Sequence, residues 1–465
     1  MEDRQMPIPK KEVIGVVGNG QLGRMFAQAA HELDYRVWVF GPGKDSPAGQ
    51  VADREFDADY GDSAALAEFS AGIRVATFEF ENIPRSTLDF LASRVPTHPS
   101  PDVLYITQNR LREKTWLHEN GFPVANFVLV RSRHELEGAL DYIGYPAVLK
   151  TASFGYDGKG QARIDKGTDI DAAWAGLGAP EAVLEAWVDF GMELSVVCAR
   201  NQQGETRCFP VCHNTHHHHI LAVTQVPAAI STDLSHRAQA YTMQVAQAMK
   251  VVGLITAEFF LTKTGDMLFN ELAPRPHNSG HFSIDACSSS QFRHHVLAVT
   301  RRPLPTVTQP EPAVMANILG DLWEKRGEDG RATVVEPPWD AVRALPGAHL
   351  HLYGKKEPRA RRKMGHLTMV GDGIKTHRDT LWKLGMDQIF DPPRDPLPWE
   401  KTDVLLTARP FVPFAIDVSG VGRLEVDSPE ALAKLRGQYI FQGADGDAPR
   451  MFAPSLVAGV EQQKV

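Results

Sequence analysis

Cysteine is scarce in this chain. Four residues of 465, Cys198, Cys208, Cys212 and Cys287, cannot staple a disulfide-built fold and fit a reducing cytoplasm. No uninterrupted apolar run is long enough to span a bilayer, so no membrane partner is expected. Residues 1–12 are polar and hold no hydrophobic signal core. Positive charge is not in excess: 49 Lys and Arg stand against 57 Asp and Glu, a formal net charge of −8. That gives no support for a general nucleic-acid partner. There is no internal repeat. What remains is a globular composition, 43% hydrophobic and so sufficient for several cores, with length for roughly three domains.

The chain opens as a doubly wound α/β domain. A buried-strand pattern at 13–17 runs into Gly18-Asn19-Gly20-Gln21-Leu22-Gly23, a helix-like segment follows at 24–33, and a second strand at 36–40. Such glycines let backbone N–H groups approach a phosphate. A dinucleotide would also need an acid after the second strand, and Phe40-Gly41-Pro42 stands there instead. Another phosphate ligand or a structural tight turn fits better. The strand at 74–80 ends in Glu79 and Glu81, which either enter the ligand crevice at the carboxyl ends of the strands or cap the next segment. A helix at 109–120 carries Arg110, Arg112 and Lys114. A strand at 145–150 ends in Lys150 and feeds a glycine-rich loop, Gly155-Tyr156-Asp157-Gly158-Lys159-Gly160-Gln161. The loop lacks the Walker spacing and reads as a phosphate cover or a plain hairpin loop. Strands follow at 182–188 and 193–200.

The densest chemistry lies between 254 and 281. Strands at 254–261 and 267–272 flank a turn at Thr264-Gly265. Glu258 and Glu271 are equidistant from that turn and should face each other. Two bare carboxylates about 5 Å apart repel by about 3 kcal/mol at an effective dielectric near 20. They need a shared proton or cation, and hard oxygen donors suit Mg²⁺. Arg275, His277 and Asn278 follow and could hold a small anion beside it. The alternative is a surface hairpin with exposed glutamates.

Two patterns mislead. Cys208, Cys212, His213 and His216–His219 crowd together without zinc-site spacing. Ala248-Met249-Lys250 resembles a biotin-attachment core but lies in an amphipathic helix expected at 235–252, with Gly253 as its stop. Further on, a strand at 348–353 leads into the densest basic run, 354–363, which is either a solvated loop or an anion site. Proline-rich stretches at 302–312 and 391–399 bracket this region. The tail, 400–465, has strand-like pieces such as 411–418 and no readable chemistry.

These motifs together resemble the ATP-grasp enzymes, and more closely the 5-(carboxyamino)imidazole ribonucleotide synthetases of purine biosynthesis. The likeness covers about residues 12–372. It rests on Gly18-Asn-Gly-Gln-Leu-Gly-Arg-Met25, the loop 155–161, Asn270-Glu-Leu-Ala-Pro-Arg-Pro-His-Asn-Ser-Gly-His281 and Lys363-Met-Gly-His366. The resemblance implies an α/β N-terminal domain (1–108), a central α+β ATP-grasp domain (109–301), a small β-rich C-terminal domain (302–375) and an extension of unknown role (376–465). It implies that ATP and bicarbonate form carboxyphosphate, whose carboxyl group passes to the exocyclic amine of aminoimidazole ribonucleotide. Arg110, Lys150 and the loop 155–161 would hold the phosphates. Glu185, Ala186, Trp187 and Val188 would line the adenine, Glu193 would take the ribose, and His216 and Asn270 complete the nucleotide site. Glu258 and Glu271 would bind Mg²⁺, while Arg275, His277 and Asn278, with Asp157, serve bicarbonate and the chemistry. Gln21, Leu22, Glu79, Tyr156, Asp157, Lys355 and Arg362 would hold the ribonucleotide. A homodimer is implied.

The chain departs from the family pattern at three places. Phe154 stands for a small residue, His219 for a glycine, and Arg359-Ala-Arg-Arg362 for Arg-Pro-Gly-Arg, which loosens the expected phosphate site. The competing readings are another ATP-grasp carboxylate–amine ligase acting on a related ribonucleotide, for instance with formate, and a non-catalytic nucleotide sensor. Every recognised motif precedes Trp399. Deleting the chain beyond Trp399 should therefore leave turnover largely intact; a truncated protein that is folded and soluble but inactive would show that the tail reaches the site.

Overall fold

The computed structural model describes residues 6–153, 160–326 and 332–371, and beyond these six strands between 414 and 462. Strand β1, Val13–Val17, is apolar and buried at every position, as a strand covered on both faces must be. It pairs in parallel with β2, Arg36–Gly41, and β4, Val75–Phe78, while β2 pairs with β3, Arg54–Asp57, in the order β3-β2-β1-β4. Helix α1, Gln21–Glu32, crosses from β1 to β2. Helices α2, Ser63–Gly72, α3, Arg85–Ala92, and α4, Pro101–Thr107, complete this part. Helix α5, Arg110–Glu119, starts where the Asn109 side chain accepts from Arg112 N, the cap expected of asparagine.

Two antiparallel sheets follow. The smaller has the order β5-β8-β6-β7, from β5, Phe127–Val130, β6, Ala147–Thr151, β7, Gln161–Ile164, and β8, Ala182–Ala186. Helices α6, Arg133–Ile143, and α7, Ile170–Leu177, pack on it. The larger has nine strands. It uses β9, Phe190–Arg200, β10, Thr206–Cys208, β11, Cys212–His217, β12, Ile220–Val226, β13, Gly253–Thr262, and β14, Met267–Ala273. Strand β15, Ala313–Leu319, then joins β12, and after the short pair β16, Glu324–Arg326, and β17, Ala332–Val334, come β18, Ala348–Leu352, and β19, Lys363–Val370. The order is β14-β13-β9-β11-β12-β15-β19-β18, with β10 beside β9. Strands from the segment read as a separate small domain thus continue the central sheet. The helices are α8, Thr232–Ala248, α9, Ser283–Ala286, α10, Gln291–Val299, and α11, Trp339–Arg343. Helix α8 stops before the expected Gly253, because Lys250 takes the left-handed φ of 52° and breaks the helical path.

The basic run returns to the N-terminal sheet. Gln50 Nε2 donates to Gly354 O at 3.0 Å, and Lys356 pairs with Asp45. Residues from Asp391 onward form a unit of their own, in which Phe414–Val418 lies between Gly422–Val426 and Val457–Gln462. Among the described residues no helix is long and apolar enough to cross a membrane.

Two of the departures fall on backbone that favours glycine: φ is 65° at His219 and 64° at Arg361. A side chain there costs roughly 1–2 kcal/mol. The Arg361 turn is held by Arg361 N donating to Asp321 Oδ2 at 2.6 Å and by Gly320 N donating to Arg362 O at 2.8 Å, so it keeps the step a glycine would take. A β-branched residue fits this region worst. Arg361→Val should unfold in urea with about 1–2 kcal/mol less stability than Arg361→Gly; equal midpoints would mean that the turn stores no strain.

Candidate active site

The hairpin of β13 and β14 sets the centre. Glu258 lies opposite Glu271, as expected, but by another route. The loop has three residues, with Gly265 N donating to Thr262 O at 3.0 Å and Gly265 at φ 90°. That shifts the register by one. A bulge then shifts it back, since Phe259 pairs with Phe269 and Asn270 is the extra residue. The two irregularities cancel at the carboxylates.

Each carboxylate has its own partner in the chain. Glu258 Oε1 lies 2.8 Å from His277 Nε2, and Glu271 Oε2 lies 3.2 Å from Arg110 Nη1. Their repulsion is therefore relieved within the protein, not by a shared ion alone. Burial would raise the Glu258 carboxyl, but His277, then His216 and Arg275, outweigh it and hold it well below the usual carboxylate range. His277 is fixed from behind. Its Nδ1 meets Ser279 Oγ at 2.8 Å, Ser279 Oγ meets Ser195 Oγ at 2.7 Å, and Asn214 Nδ2 donates to Ser195 Oγ at 2.8 Å. Gln291 brackets its main chain, accepting from His277 N at 2.9 Å and donating to His277 O at 2.7 Å. Arg275 Nε lies 3.0 Å from Glu81 Oε1, so Glu81 holds a site cation and does not serve only as a cap. Asn278 follows with both Nδ2 and Oδ1 shut off from solvent and, among the described residues, no hydrogen-bond partner for either.

On the nucleotide side, Glu185 is 3% exposed, and its Oε2 takes Lys150 Nζ at 3.0 Å and Lys114 Nζ at 3.2 Å. Burial pushes its carboxyl up, but Lys114 and then Lys150 bring it down to about 2. Burial in turn lowers Lys150 from the usual lysine range. Ala186 N and Trp187 N donate to Asn126 O and Pro146 O, at 2.8 and 3.2 Å. Val188 O accepts from Phe190 N at 3.1 Å. Glu193 Oε2 lies 3.0 Å from His216 Nδ1. At the loop's end Gly160 O accepts from Thr151 N at 2.7 Å, and Gln161 Nε2 meets His219 Nδ1 at 3.1 Å. Phe154, Gly155, Tyr156, Asp157, Gly158 and Lys159 lie outside the described residues.

Among the residues expected at the ribonucleotide, the glycine loop follows the structural-turn alternative. Two amides of the glycine loop are taken by a side chain: Glu79 accepts from Gly20 N at 2.8 Å and Gly23 N at 3.3 Å. A Cβ on Gly18 would sit 2.8 Å from that side chain, so the glycines make room for a carboxylate of the chain itself. Burial raises the Glu79 carboxyl, while Gly20 N, then Arg275, Gly23 N and Lys355, pull the other way. Leu22 is buried in the N-terminal core, which leaves only its main chain for a ligand, and Gln21 opens α1. Lys355 Nζ donates to Lys363 O at 2.7 Å and Arg362 Nη1 to Glu357 O at 2.8 Å. Burial, aided by Arg362, lowers Lys355 to about 8 against the pull of Glu79.

Among the described residues one His/Asp group is close enough for a metal: Asp285, His351 and His366. The two rings stack at 4.5 Å and 14°, so their in-plane lone pairs do not converge, and His351 Nε2 is already 2.9 Å from Asp285 Oδ2. This is a polar network, not a metal centre.

The chain matches three family models: a ribonucleotide synthetase preATP-grasp domain at residues 11–108, an ATP-grasp domain at 115–292, and a phosphoribosylaminoimidazole carboxylase C-terminal domain at 313–380. It is 40% identical over 358 residues to the N5-carboxyaminoimidazole ribonucleotide synthase of Bacillus subtilis, covering 77% of this chain and 91% of that one. The chain belongs to the N5-carboxyaminoimidazole ribonucleotide synthases. It is an ATP-dependent ligase of purine biosynthesis within the ATP-grasp superfamily. A crystal structure of an ADP complex of such a synthetase superposes with a TM-score of 0.75 at 40% identity, over 82% of this chain and 98% of that one. The Aspergillus clavatus enzyme, in complex with ADP and 5-aminoimidazole ribonucleotide, gives 0.72 at 27% identity, over 81% and 98%. The family models stop at residue 380, so the C-terminal unit lies beyond them.

For a synthase of this family the sequence missed several supports. Ser195, Asn214 and Thr224 are buried polar residues on strands; their signal was a polar residue at an inward-facing position of an apolar strand. Gln291 had no signal beyond its place at a helix start. Removing the charge of Glu185 leaves two buried lysines without their acid, which should cost about 3–5 kcal/mol. A depressed carboxyl stabilises above its unfolded value of 4.5, and that contribution is lost as pH falls toward about 2. Glu185→Gln should thus be less stable than wild type at pH 7, and the gap should close on acidification. Urea unfolding at pH 7, 5, 4 and 3 measures it, and a gap independent of pH would contradict the pairing.

Proposed function

We propose that this synthase transfers the γ-phosphoryl group of ATP to a bicarbonate oxygen, giving ADP and carboxyphosphate. The exocyclic amine of 5-aminoimidazole ribonucleotide then attacks the carboxyl carbon. Phosphate leaves with the bonding electrons, and the amine gives up a proton. Arg110, Lys150 and the loop 155–161 hold the phosphates, Glu185 to Val188 with Asn270 border the base and chain, and Glu193 with His216 takes the ribose. The observation that carries this reading is Asn278. Among the described residues its amide nitrogen and oxygen are buried without hydrogen-bond partners, and it follows Arg275 and His277 in the chain. Buried polar groups seldom stay unpaired, and a small planar anion would satisfy the donor.

Glu258 and Glu271 suit Mg²⁺, being opposed in register and made of hard oxygen donors. When bound, the ion would neutralise charge on the phosphates. Gln21, the Leu22 main chain, Glu79, Tyr156, Asp157, Lys355 and Arg362 take the ribonucleotide, and Asp157 also serves the chemistry. The enzyme works in the cytoplasm as a homodimer on this reading.

Phosphate release from ATP, measured with bicarbonate and each candidate ribonucleotide in turn, tests the assignment. Dependence on both bicarbonate and aminoimidazole ribonucleotide is expected; dependence on formate would favour a related ligase. Lys355→Ala removes one charge-assisted contact worth ~1.5–3 kcal/mol, so KM for the ribonucleotide should rise roughly ten- to a hundredfold with little change in the Kd for ATP. Because burial brings Lys355 down to about 8, wild-type KM should climb between pH 7 and 9 and the variant's should not. Collapse of ATP affinity instead would place Lys355 in the nucleotide site.

A further inference from the structure

Helix α5 meets β14 along one face. Arg110, Glu113 and Lys114 stand at i, i+3 and i+4, the spacing that puts side chains on one side of a helix. They reach three consecutive residues of the strand. Lys114 Nζ donates to Asn270 O at 3.2 Å, Arg110 Nη1 meets the Glu271 carboxylate at 3.2 Å, and Glu113 Oε2 accepts from Leu272 N at 2.9 Å. Asn270 is the bulge residue, where ladder pairing is interrupted. Lys114 supplies a partner at the point where the partner strand is out of step.

Glu113 and Lys114 are 2% and 1% exposed. Burying two charged side chains is a costly way to pack a helix, and apolar residues would fill the space. Glu113 holds Leu272 N through a carboxyl oxygen, an acceptor that an amide of the same shape can replace. Lys114 also lies 3.2 Å from Glu185 Oε2, the oxygen that holds Lys150. The start of α5 is itself pinned at the root of the glycine-rich loop, by Arg110 N on Ala152 O at 2.8 Å and Asn109 Nδ2 on Ser153 Oγ at 2.9 Å.

We propose that Glu113 and Lys114 are positioning residues for the Glu271 carboxylate, fixing the main chain on either side of it so that it meets the cation in register with Lys150. The proposal rests on Glu258 and Glu271 being the cation-holding pair. The loss of such supporting contacts costs metal affinity about ten- to a hundredfold.

The test uses the full chain with ADP and Mn²⁺ as the probe ion, bound Mn²⁺ being read from its electron paramagnetic resonance signal. Glu271→Gln is the reference and should lose most of the ion. Lys114→Met and Glu113→Leu should each bind Mn²⁺ about ten- to a hundredfold more weakly. Glu113→Gln can still accept from Leu272 N and should match wild type. The two contacts are separate, so one variant suffices if the other fails to fold. If Glu271→Gln binds Mn²⁺ as wild type does, the cation reading falls and the positioning role falls with it. If Glu271→Gln loses the ion while Lys114→Met and Glu113→Leu keep wild-type affinity, the cation reading stands and this proposal is overturned. Glu113→Gln as weak as Glu113→Leu would overturn the role given to the Leu272 contact.

Discussion

Charge taken out of water is the constraint on which the centre of this molecule depends. Glu185, Lys114, Lys150, Glu258 and Glu79 are all buried, and an unpaired ion in such a place costs several kcal/mol. The protein answers with a continuous set of partners: Glu185 between two lysines, Glu258 on His277, Glu271 on Arg110 and Glu81 on Arg275. The nine-stranded sheet and α5 exist at this point largely as the frame that keeps those partners aligned. On the proposed reading Arg110 would hold phosphate and Glu271 the cation, so the pair they make with each other keeps both charges matched while neither ligand is bound.

Much of this was legible in the sequence, for identifiable reasons. Apolar patterning located β1, β2, β13 and β14 because most positions of each are buried. The facing of Glu258 and Glu271 was read correctly from a turn of the wrong length, since the three-residue loop and the bulge at Asn270 offset each other. A single error there would have turned one glutamate to the opposite face. The end of α8 was misplaced because Lys250 stops the helix in a conformation that composition does not announce. The members of the buried chain through Ser279, Ser195, Asn214 and Thr224 carried at most a polar residue on an apolar strand as signal, and their connection was not legible, since they come from four separate segments and only folding brings them together.

The glycine loop was open to two readings, a phosphate site or a structural tight turn, and its hydrogen bonds fit the second. Glycines after a first strand mark amides open to an acceptor, and at Gly20 and Gly23 the acceptor is Glu79. The helix start that binds phosphate elsewhere is occupied by a carboxylate supplied 59 positions along the chain. Arg275 and Lys355, arriving from distant parts of the central sheet, both act on that same carboxylate. The N-terminal sheet is thereby joined electrically to the segment of Arg275, His277 and Asn278 and to the basic run.

Strand β14 is the last in its sheet. A terminal strand of this kind offers a row of backbone donors and acceptors to any other chain that drifts alongside, a common origin of aggregates. Here the row is already occupied: Asn270 O and Leu272 N by the side chains of α5, and Phe269 N by Pro123 O at 2.8 Å. The helix that meets the catalytic strand also denies it to strangers. Changes made in α5 therefore bear on colloidal behaviour as much as on turnover, and an α5 variant that precipitates reports an uncovered strand.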